Sequence, residues 1–349
     1  MRMLQIIMLF ITIIYSEELV NSSQINISKN WFQEPSGWIY PMDINIPDSI
    51  TPNEGFPVCI LLHGFGGNGA QFIQQYQNIL NNHILIAPTG YMNSWNISDE
   101  PSEAPDLEMI ADLVNQLQSY DNINPDKVRI IGFSNGSALA NRIFIENSNS
   151  GIDIICTIVS QLSEAQYHDN NFYYPANETG GNQEFDGYNN MITPILGRKY
   201  LNIGNINDPI IPYYGGEAVG VIFLNSLNAA FIIAKSQGYD GNILSEGGVQ
   251  LGNSSVYEYN YLSNQIIHLK GNSGHNIDNF QREYLIDFLN YSQIIGDLNN
   301  DGVVNNSDFL MLLSFVIGGN DSVSAADINF DSEVDIFDLL LLSDFLQNM

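Results

Sequence analysis

The chain has 349 residues, which is too many for one small domain and suits one large domain with a smaller module. Hydrophobic residues make up 44% of it, as in ordinary proteins with a buried core, but 10 Lys and Arg face 39 Asp and Glu. The resulting net charge of −29 repels nucleic acid and anionic membrane surfaces, so we expect neither as a partner.

The first residues have the pattern of a secretory signal peptide. Arg2 precedes about a dozen mostly apolar residues, and the small residue Ser16 ends the run. Because this run is short for a membrane span, we expect residues 1–16 to be a signal peptide and the protein to be secreted. A buried first helix or a membrane anchor is the alternative. Residues 17–37 are polar and predict an irregular segment.

Apolar runs then alternate with amphipathic segments. Continuous apolar runs predict strands buried on both faces of a parallel sheet, and apolar residues at helical spacing predict helices. The strands are expected at 58–62, 84–90, 127–133, 152–160, 199–205 and 264–271, with an early strand pair in 38–47. The helices are expected at 69–80, 104–120, 135–147 and 279–292. This alternation predicts an α/β domain with a mostly parallel sheet.

Residues 161–195 break the alternation with a stretch rich in aromatic residues. Its aromatic side chains are Tyr167, Phe172, Tyr173, Tyr174, Phe185 and Tyr188. One interpretation is a loop that covers a binding site, where these rings stack on an aromatic acyl group or on sugars. The other is a surface insertion with its own small cluster.

Two cysteines, Cys59 and Cys156, lie inside apolar strand-like runs. Because another strand is expected between them in the sheet, we predict two buried free thiols.

Ser134 is the candidate nucleophile. It lies in the G-x-S-x-G pattern of residues 132–136, between a predicted strand and a predicted helix, which is the context of a nucleophile elbow. The tight turn needs small residues two positions before and after the serine, where Gly132 and Gly136 stand. The helix N-terminus directs the backbone N–H of Asn135 toward the site.

A serine nucleophile needs a base and a carboxylate that orients the base. After a nucleophile elbow the order along the chain is Ser, then the acid, then His. His275 lies in a loop after the last predicted strand and is the candidate base; His168 and His268 also follow Ser134. Asp208 ends the strand at 199–205 and is the candidate acid, although an Asp before Pro209 is also typical of a turn.

The glycine-rich HGFGG, residues 63–67, follows the strand at 58–62. Glycines allow close approach of the backbone to a substrate, so we predict the N–H groups of Phe65 and Asn135 as oxyanion donors. A merely flexible loop is the alternative.

Five blocks of the sequence, in this order, resemble the α/β-hydrolase esterases grouped as polyhydroxybutyrate depolymerases and feruloyl esterases. They are LLHGFGGNG, SWNISDEPSEAPD, DKVRIIGFSNGSALANR, NDPIIPYYGG and SGHN. The resemblance implies an α/β-hydrolase domain over residues 38–293. It also implies the roles of nucleophile, acid and base for Ser134, Asp208 and His275, with no cofactor in catalysis.

The C-terminal segment contains a repeat of twelve residues, at 297–308 and 327–338. Oxygen-bearing side chains recur at positions 1, 3, 5, 9 and 12, a spacing that supplies the six to eight oxygen ligands of calcium, with a backbone carbonyl at position 7. The predicted ligands are Asp297, Asn299, Asp301, Val303, Asn305 and Asp308, then Asp327, Asn329, Asp331, Glu333, Asp335 and Asp338. We expect two structural calcium ions, since a merely solubilising acidic tail would not repeat at this spacing.

Each loop runs into an apolar helix, and such a pair resembles a type I dockerin. The resemblance implies a small all-α module over residues 296–349 that binds a cohesin domain of a scaffold protein or cell surface. Asn306–Ser307 and Ile336–Phe337 match the positions that contact cohesin in that family. Because the two pairs differ, we expect the two halves not to be interchangeable.

Together these features predict a secreted serine esterase that acts on polysaccharide-linked feruloyl or acetyl esters. A polyhydroxybutyrate depolymerase is the alternative of the same class. A serine peptidase, or a non-catalytic binding protein attached to a scaffold, is the alternative of another class.

Overall fold

The structure is a computed structural model of the chain. It describes residues 17–175, 184–244, 247–290, 296–298, 304–318, 326–329 and 333–347. The expected signal peptide at residues 1–16 lies outside the described residues. Among the described helices, none combines the length and the apolar character that crossing a bilayer requires.

Strands and helices follow one another in the order that the alternating pattern predicts. The strands are β1 Ser28–Trp31, β2 Glu34–Ile39, β3 Met42–Asn45, β4 Phe56–Leu62, β5 Ile84–Pro88, β6 Ile123–Phe133, β7 Ile152–Ile158, β8 Tyr167–His168, β9 Asn171–Pro175, β10 Tyr188–Ile192, β11 Lys199–Asn205, β12 Gly216–Ala218, β13 Val221–Phe223, β14 Val249–Gln250, β15 Tyr257–Tyr261 and β16 Ile266–Gly271. The helices are α1 Gly69–Ile73, α2 Asp106–Leu117, α3 Asn135–Glu146, α4 Ser226–Ser236, α5 Asn279–Asn290, α6 Asn306–Gly318 and α7 Ile336–Gln347.

A nine-stranded sheet forms the centre of the large domain, in the order β14-β15-β16-β11-β7-β6-β4-β5-β3. The six strands from β16 to β5 run parallel, and the strands at both edges are antiparallel. In a parallel sheet the carboxyl ends of the strands meet at one edge, so the loops after β4, β6, β11 and β16 converge there. The predicted α/β class is confirmed.

The core lies on both faces of this sheet. In β4, Ile60 and Leu62 contribute to one hydrophobic cluster, which also includes Leu113 of α2 and Ile143 of α3. Leu61 belongs to the cluster on the opposite face, with residues of α1 and α5. Burial on both faces explains why β4 is a continuous apolar run. Cys59 and Cys156 are buried free thiols, as predicted, with β6 between their strands.

Short elements depart from the sequence prediction. The segment 17–37, predicted as irregular, contains β1 and most of β2, which form a hairpin. In this hairpin Trp31 and Trp38 pack edge-to-face on Tyr91, which is distant in the sequence. Tertiary contacts therefore stabilise a polar sequence in the strand conformation. The segment 38–47 does hold the end of β2 and all of β3, but the two strands do not pair with each other, because β2 pairs with β1 whereas β3 joins the central sheet.

Other expectations fail for similar reasons. The helix predicted at 69–80 ends after Ile73, and the chain continues from there as turns. The stretch at 161–195 contains the small sheet β10-β9-β8 rather than only loop. The sequence pattern also missed the short strands β12 to β15, because two- to five-residue strands show too little alternation to detect. The helix α4 was missed as well, although most of its 11 residues are apolar.

Candidate active site

Ser134 stands at a sharp turn between β6 and α3. Its backbone has φ 53° and ψ −118°, a strained conformation for a residue with a side chain. The flanking glycines make the turn possible: a Cβ on Gly136 would lie 2.1 Å from the carbonyl oxygen of Leu62 in β4. A Cβ on Gly132 would lie 2.3 Å from the carbonyl oxygen of Gly136. The small residues of the pattern are therefore required by close backbone packing.

His275 comes to Ser134 from the loop after β16. Its Nε2 lies 2.8 Å from Oγ of Ser134. Its Nδ1 lies 2.8 Å from Oδ2 and 3.1 Å from Oδ1 of Asp208. Since the carboxylate only accepts hydrogen bonds, Nδ1 carries the ring proton, and Nε2 is left to accept the hydrogen bond from the serine hydroxyl.

Asp208 follows β11 and has a second function in its own turn. Its Oδ1 accepts the backbone N–H groups of Ile210 at 2.8 Å and Ile211 at 3.0 Å. The side chain of Asp208 is 2% exposed and that of His275 is 14% exposed, so the hydrogen bond between them is shielded from water. The structure thus brings together the three residues that the sequence predicted, from loops after three different strands.

The loop that carries Phe65 is held by His63. The backbone N–H of Gly90 donates to Nε2 of His63 at 3.1 Å, so the proton lies on Nδ1, which donates to the Gly64 carbonyl at 2.8 Å. Burial lowers the pKa of His63 and keeps this neutral form. The bonded carbonyl and the N–H of Phe65 belong to one peptide group. His63 therefore fixes the plane of the predicted oxyanion donor.

Trp95 and Glu100 are site residues that the sequence analysis did not single out. The side-chain Oδ1 of Asn135 accepts a hydrogen bond from the backbone N–H of Trp95 at 2.8 Å. The Nδ2 of Asn135 lies 3.2 Å from Oε1 of Glu100. The indole of Trp95 donates to the carbonyl of His63 at 2.8 Å. Trp95 thus ties the Phe65 loop to the Asn135 turn. Their shared block, SWNISDEPSEAPD, was recognised only as part of the family pattern.

A cleft of about 520 Å³ opens over Ser134. Most of its wall is apolar, with polar groups at intervals. The lining residues include Phe65, Ile97, Glu100, Phe133, Ala138, Gln161, Gln166, Ile211, Val221, Phe223 and His275. Burial raises the pKa of Glu100, whose Oε2 accepts the backbone N–H groups of Ile97 and Ser98.

A second cleft of about 290 Å³ lies on the other side of His275. It shares Gly64, Phe65, Phe133 and His275 with the larger one but is not lined by Ser134. Its remaining lining residues are His63, Gly67, Asn68, Gln71, Phe72, Gln75 and Asn276.

The aromatic stretch at 161–195 does not line either cleft with its rings, as far as the described residues go. His168 instead stacks between Tyr173 and Phe185, with ring centroids 3.9 and 3.7 Å away. Rings of this stretch thus pack on one another, as the alternative of a separate cluster expects, and their stacking on a substrate stays a prediction. The insertion supports the cleft wall from behind, since the hydroxyl of Tyr188 donates to the carbonyl of Ile97 at 2.7 Å.

His268, which also follows Ser134 in the chain, lies within the central sheet and has structural contacts. His268 is fully buried in β16, where its Nδ1 lies 2.7 Å from Oδ1 of Asn202 and its Nε2 lies 2.9 Å from the Tyr213 hydroxyl. Burial lowers its pKa to about 3.

In the C-terminal segment, each twelfth ligand of the predicted calcium loops closes its own loop. Asp308 accepts the N–H groups of Leu298 and Asn305, both at 2.8 Å. Asp338 accepts those of Ile328 at 2.7 Å and Asp335 at 2.9 Å. Both carboxylates are fully buried, as is that of Asp297, and buried carboxylates are the oxygen ligands that a hard cation requires.

Part of this ligand set cannot be placed. Asn299, Asp301, Val303 and Asp331 lie outside the described residues. Among the described residues, both in this segment and in the rest of the chain, no three His, Cys, Asp or Glu side chains form a group that could hold a metal ion. The predicted helices after both loops are present as α6 and α7 and share a small core with Leu312 and Leu342.

Residues 295–347 match the family model for the dockerin type I domain. This part of the chain is a dockerin domain. Its match covers the two loops and both helices, α6 and α7. The prediction of a C-terminal type I dockerin is therefore confirmed. No curated protein matches the chain.

Solved structures similar to the chain include several esterases. A carboxylesterase from Bacillus cereus has 11% identity and a TM-score of 0.46, covering 72% of this chain and 93% of that protein. An acetyl xylan esterase from Aspergillus awamori has 13% identity and a TM-score of 0.47, covering 71% and 93%. Acyl-protein thioesterase 2 from Zea mays has 13% identity and a TM-score of 0.40, covering 71% and 97%.

The strand order and the turn at Ser134 define the fold of the large domain. A parallel sheet with a serine on a strained strand-to-helix turn, followed along the chain by Asp and His, is the α/β-hydrolase fold. The predicted fold class, an α/β-hydrolase domain joined to a dockerin, is confirmed.

Proposed function

We propose that this protein is a serine carboxylic-ester hydrolase with Ser134 as nucleophile, His275 as base and Asp208 as acid. The observation that supports this most strongly is the continuous hydrogen-bonded series from Asp208 through His275 to Ser134 at the floor of a cleft. A hydroxyl is a weak nucleophile until a neighbouring base accepts its proton, and this geometry supplies that base.

The reaction follows from the geometry. The Oγ of Ser134 attacks the ester carbonyl while Nε2 of His275 accepts its proton, and Asp208 stabilises the imidazolium. The N–H groups of Phe65 and Asn135 stabilise the oxyanion. His275 then protonates the leaving alcohol, and a water molecule, activated by the same base, hydrolyses the acyl-enzyme. No cofactor is needed for these steps.

The proposed substrates are polysaccharide-linked esters with a feruloyl or acetyl group. The apolar wall of the larger cleft suits an uncharged acyl group, and the dockerin suits an enzyme held near an insoluble polymer. We propose that the dockerin binds two calcium ions and docks to a cohesin, and that the protein is exported and acts outside the cell or on a cell-surface scaffold.

The test compares the wild type with Ser134→Ala on methyl ferulate and on 4-nitrophenyl acetate. We expect the variant to lose about 10⁴-fold or more of kcat on any ester that the wild type cleaves. Cleavage of the acetate alone would favour acetyl-polysaccharide or polyhydroxybutyrate as substrate. Equal rates in both proteins would contradict the role of Ser134, and faster cleavage of matched amides than esters would favour a peptidase.

A further inference from the structure

The two clefts divide the site into two unlike halves at His275. Ser134 and Asn135 line only the larger cleft, and Asn276 lines only the smaller one, while Phe65, Phe133 and His275 line both. An ester also has two halves, the acyl group and the alcohol. The arrangement therefore raises the question of which half lies in which cleft.

The chemistry assigns the larger cleft to the acyl group. After the first step the acyl group is covalently bound to Oγ of Ser134, so it must lie in a cleft that Ser134 lines. The leaving alcohol must receive its proton from Nε2 of His275 and then depart to make room for water. The smaller cleft is lined by His275 and not by Ser134, so it offers the alcohol a place beside the base that the acyl group does not occupy.

Neutral amides form a large part of the wall of the smaller cleft, whereas the wall of the larger cleft is mostly apolar. Asn68, Gln71, Gln75 and Asn276 line the smaller cleft beside the two histidines, and its wall includes no Asp, Glu, Lys or Arg side chain. An amide both donates and accepts hydrogen bonds, which matches a hydroxyl group that does the same. The Oδ1 of Asn68 accepts the N–H of Gln71 at 2.9 Å, which holds Asn68 at the start of α1.

We infer that this smaller cleft is the subsite for the alcohol and that it takes a neutral polyhydroxylated alcohol, one sugar unit of a polymer. This inference rests on the proposed ester hydrolysis. The volume of about 290 Å³ is near the lower limit for small-molecule sites and suits a single ring. The side chain of Phe65, 64% exposed at the rim, offers an apolar face for the ring of the sugar.

The experiment uses two esters with the same acyl group and different alcohols. Methyl ferulate is compared with a methyl arabinofuranoside feruloylated at O5, or ethyl acetate with a mono-O-acetyl methyl xyloside if ferulate is not cleaved. The variants are Gln71→Ala, Gln75→Ala and their combination. The control is Gln74→Ala, because Gln74 is exposed on the same segment and does not line the cleft.

We expect the double variant to lose about 10-fold in kcat/KM on the sugar ester, since each lost hydrogen bond costs up to about tenfold. The simple ester should change by less than about 2-fold in all variants, and Gln74→Ala should match the wild type on both. All three side chains are exposed, so the variants should keep the Tm of the wild type.

An unchanged ratio of the two kcat/KM values in the double variant would overturn the inference, whether both esters keep their rates or both lose the same factor. Ser134→Ala separates this failure from failure of the proposed function. If Ser134→Ala abolishes cleavage of the simple ester while the Gln variants leave the ratio unchanged, only the alcohol subsite is wrong.

Discussion

Asp208 shows how one side chain serves the fold and the candidate site together. The Asp-Pro pair was compatible with a turn or with a triad acid, and the structure contains both, because Oδ1 of Asp208 accepts two backbone N–H groups of its turn as well as facing His275. The turn orients the carboxylate, and the carboxylate orients the imidazole. A local sequence motif therefore places a group whose partner is 67 residues away.

A second buried carboxyl, that of Asp106, organises the segment beside the site. Its Oδ1 accepts the hydroxyl of Tyr40 at 2.9 Å, and its Oδ2 accepts the N–H of Asn96 at 2.8 Å, next to Trp95. Burial raises the pKa of Asp106 to about 7. In the unfolded chain the pKa returns to about 4, so unfolding releases a proton between these values.

This pKa difference predicts how stability depends on pH. The contribution of the protonated Asp106 is complete below about pH 4 and is lost as the pH rises toward 7. Asp106→Asn keeps a neutral side chain of the same shape and has no such dependence. Between pH 5 and pH 8 we expect the Tm of the wild type to fall by about 5 °C more than that of the variant.

Thermal unfolding at several pH values measures this difference. The control is Asp121→Asn, because Asp121 is exposed and its replacement should leave the pH profile of the wild type unchanged. Parallel profiles for the wild type and Asp106→Asn would show that the buried carboxyl does not take up a proton in this range.

At the scale of elements, the hairpin of β12 and β13 forms a wall of the larger cleft. Val221 and Phe223 line the cleft, whereas Ile222 between them does not and is 48% exposed. This is the alternation of a strand. The hairpin is attached to the residues after β7, where the N–H of Leu224 donates to the carbonyl of Leu162 at 2.9 Å.

This alternation predicts that one of two neighbouring substitutions lowers the rate and the other does not. Val221→Trp should fill part of the larger cleft, to which we assign the acyl group, and lower kcat/KM for methyl ferulate about 10-fold or more. The kcat/KM for an acetate ester should fall by less than about 3-fold. Ile222→Trp should leave both rates near those of the wild type, because its side chain is on the outer face. Steady-state kinetics on the two esters measures this. Equal losses on both esters from Val221→Trp would indicate a distorted hairpin rather than a smaller cleft.

At the scale of the whole molecule, the chain joins an α/β-hydrolase domain to a dockerin domain with separate chemistry. The proposed catalytic groups belong to residues 134, 208 and 275, and the predicted calcium ligands to residues 297–338. The segment 296–349 holds ten acidic residues and no Lys or Arg, a charge that bound calcium would compensate.

Removal of calcium should therefore affect the dockerin and spare catalysis. With EGTA we expect faster proteolysis within residues 296–349 and loss of binding to cohesin, while the rate on 4-nitrophenyl acetate changes by less than about 2-fold. Added calcium should reverse the loss, with two ions bound by titration calorimetry, and magnesium should not. Equal protease resistance with and without EGTA would contradict a structural role for the ion.

Long patterns in the sequence determined the elements that place the site. The continuous apolar runs of β4 and β5 predicted a parallel sheet, because strands buried on both faces lack regular polar positions. The G-x-S-x-G turn predicted Ser134 because close packing excludes any Cβ at Gly132 and Gly136. The repeat of oxygen ligands predicted two calcium loops because calcium needs that spacing, and the resemblance of such a pair implied the dockerin.

Only the tertiary structure decided which residues surround Ser134. The hydrogen bonds from Trp95 to Asn135 and to His63 join segments that lie 40 and 32 residues apart in the chain. The short strands β12 and β13, and the amides beside His275, carry no local pattern of their own. Their function depends on which loops meet at the carboxyl edge of the sheet, and that follows from the strand order, which no single segment encodes.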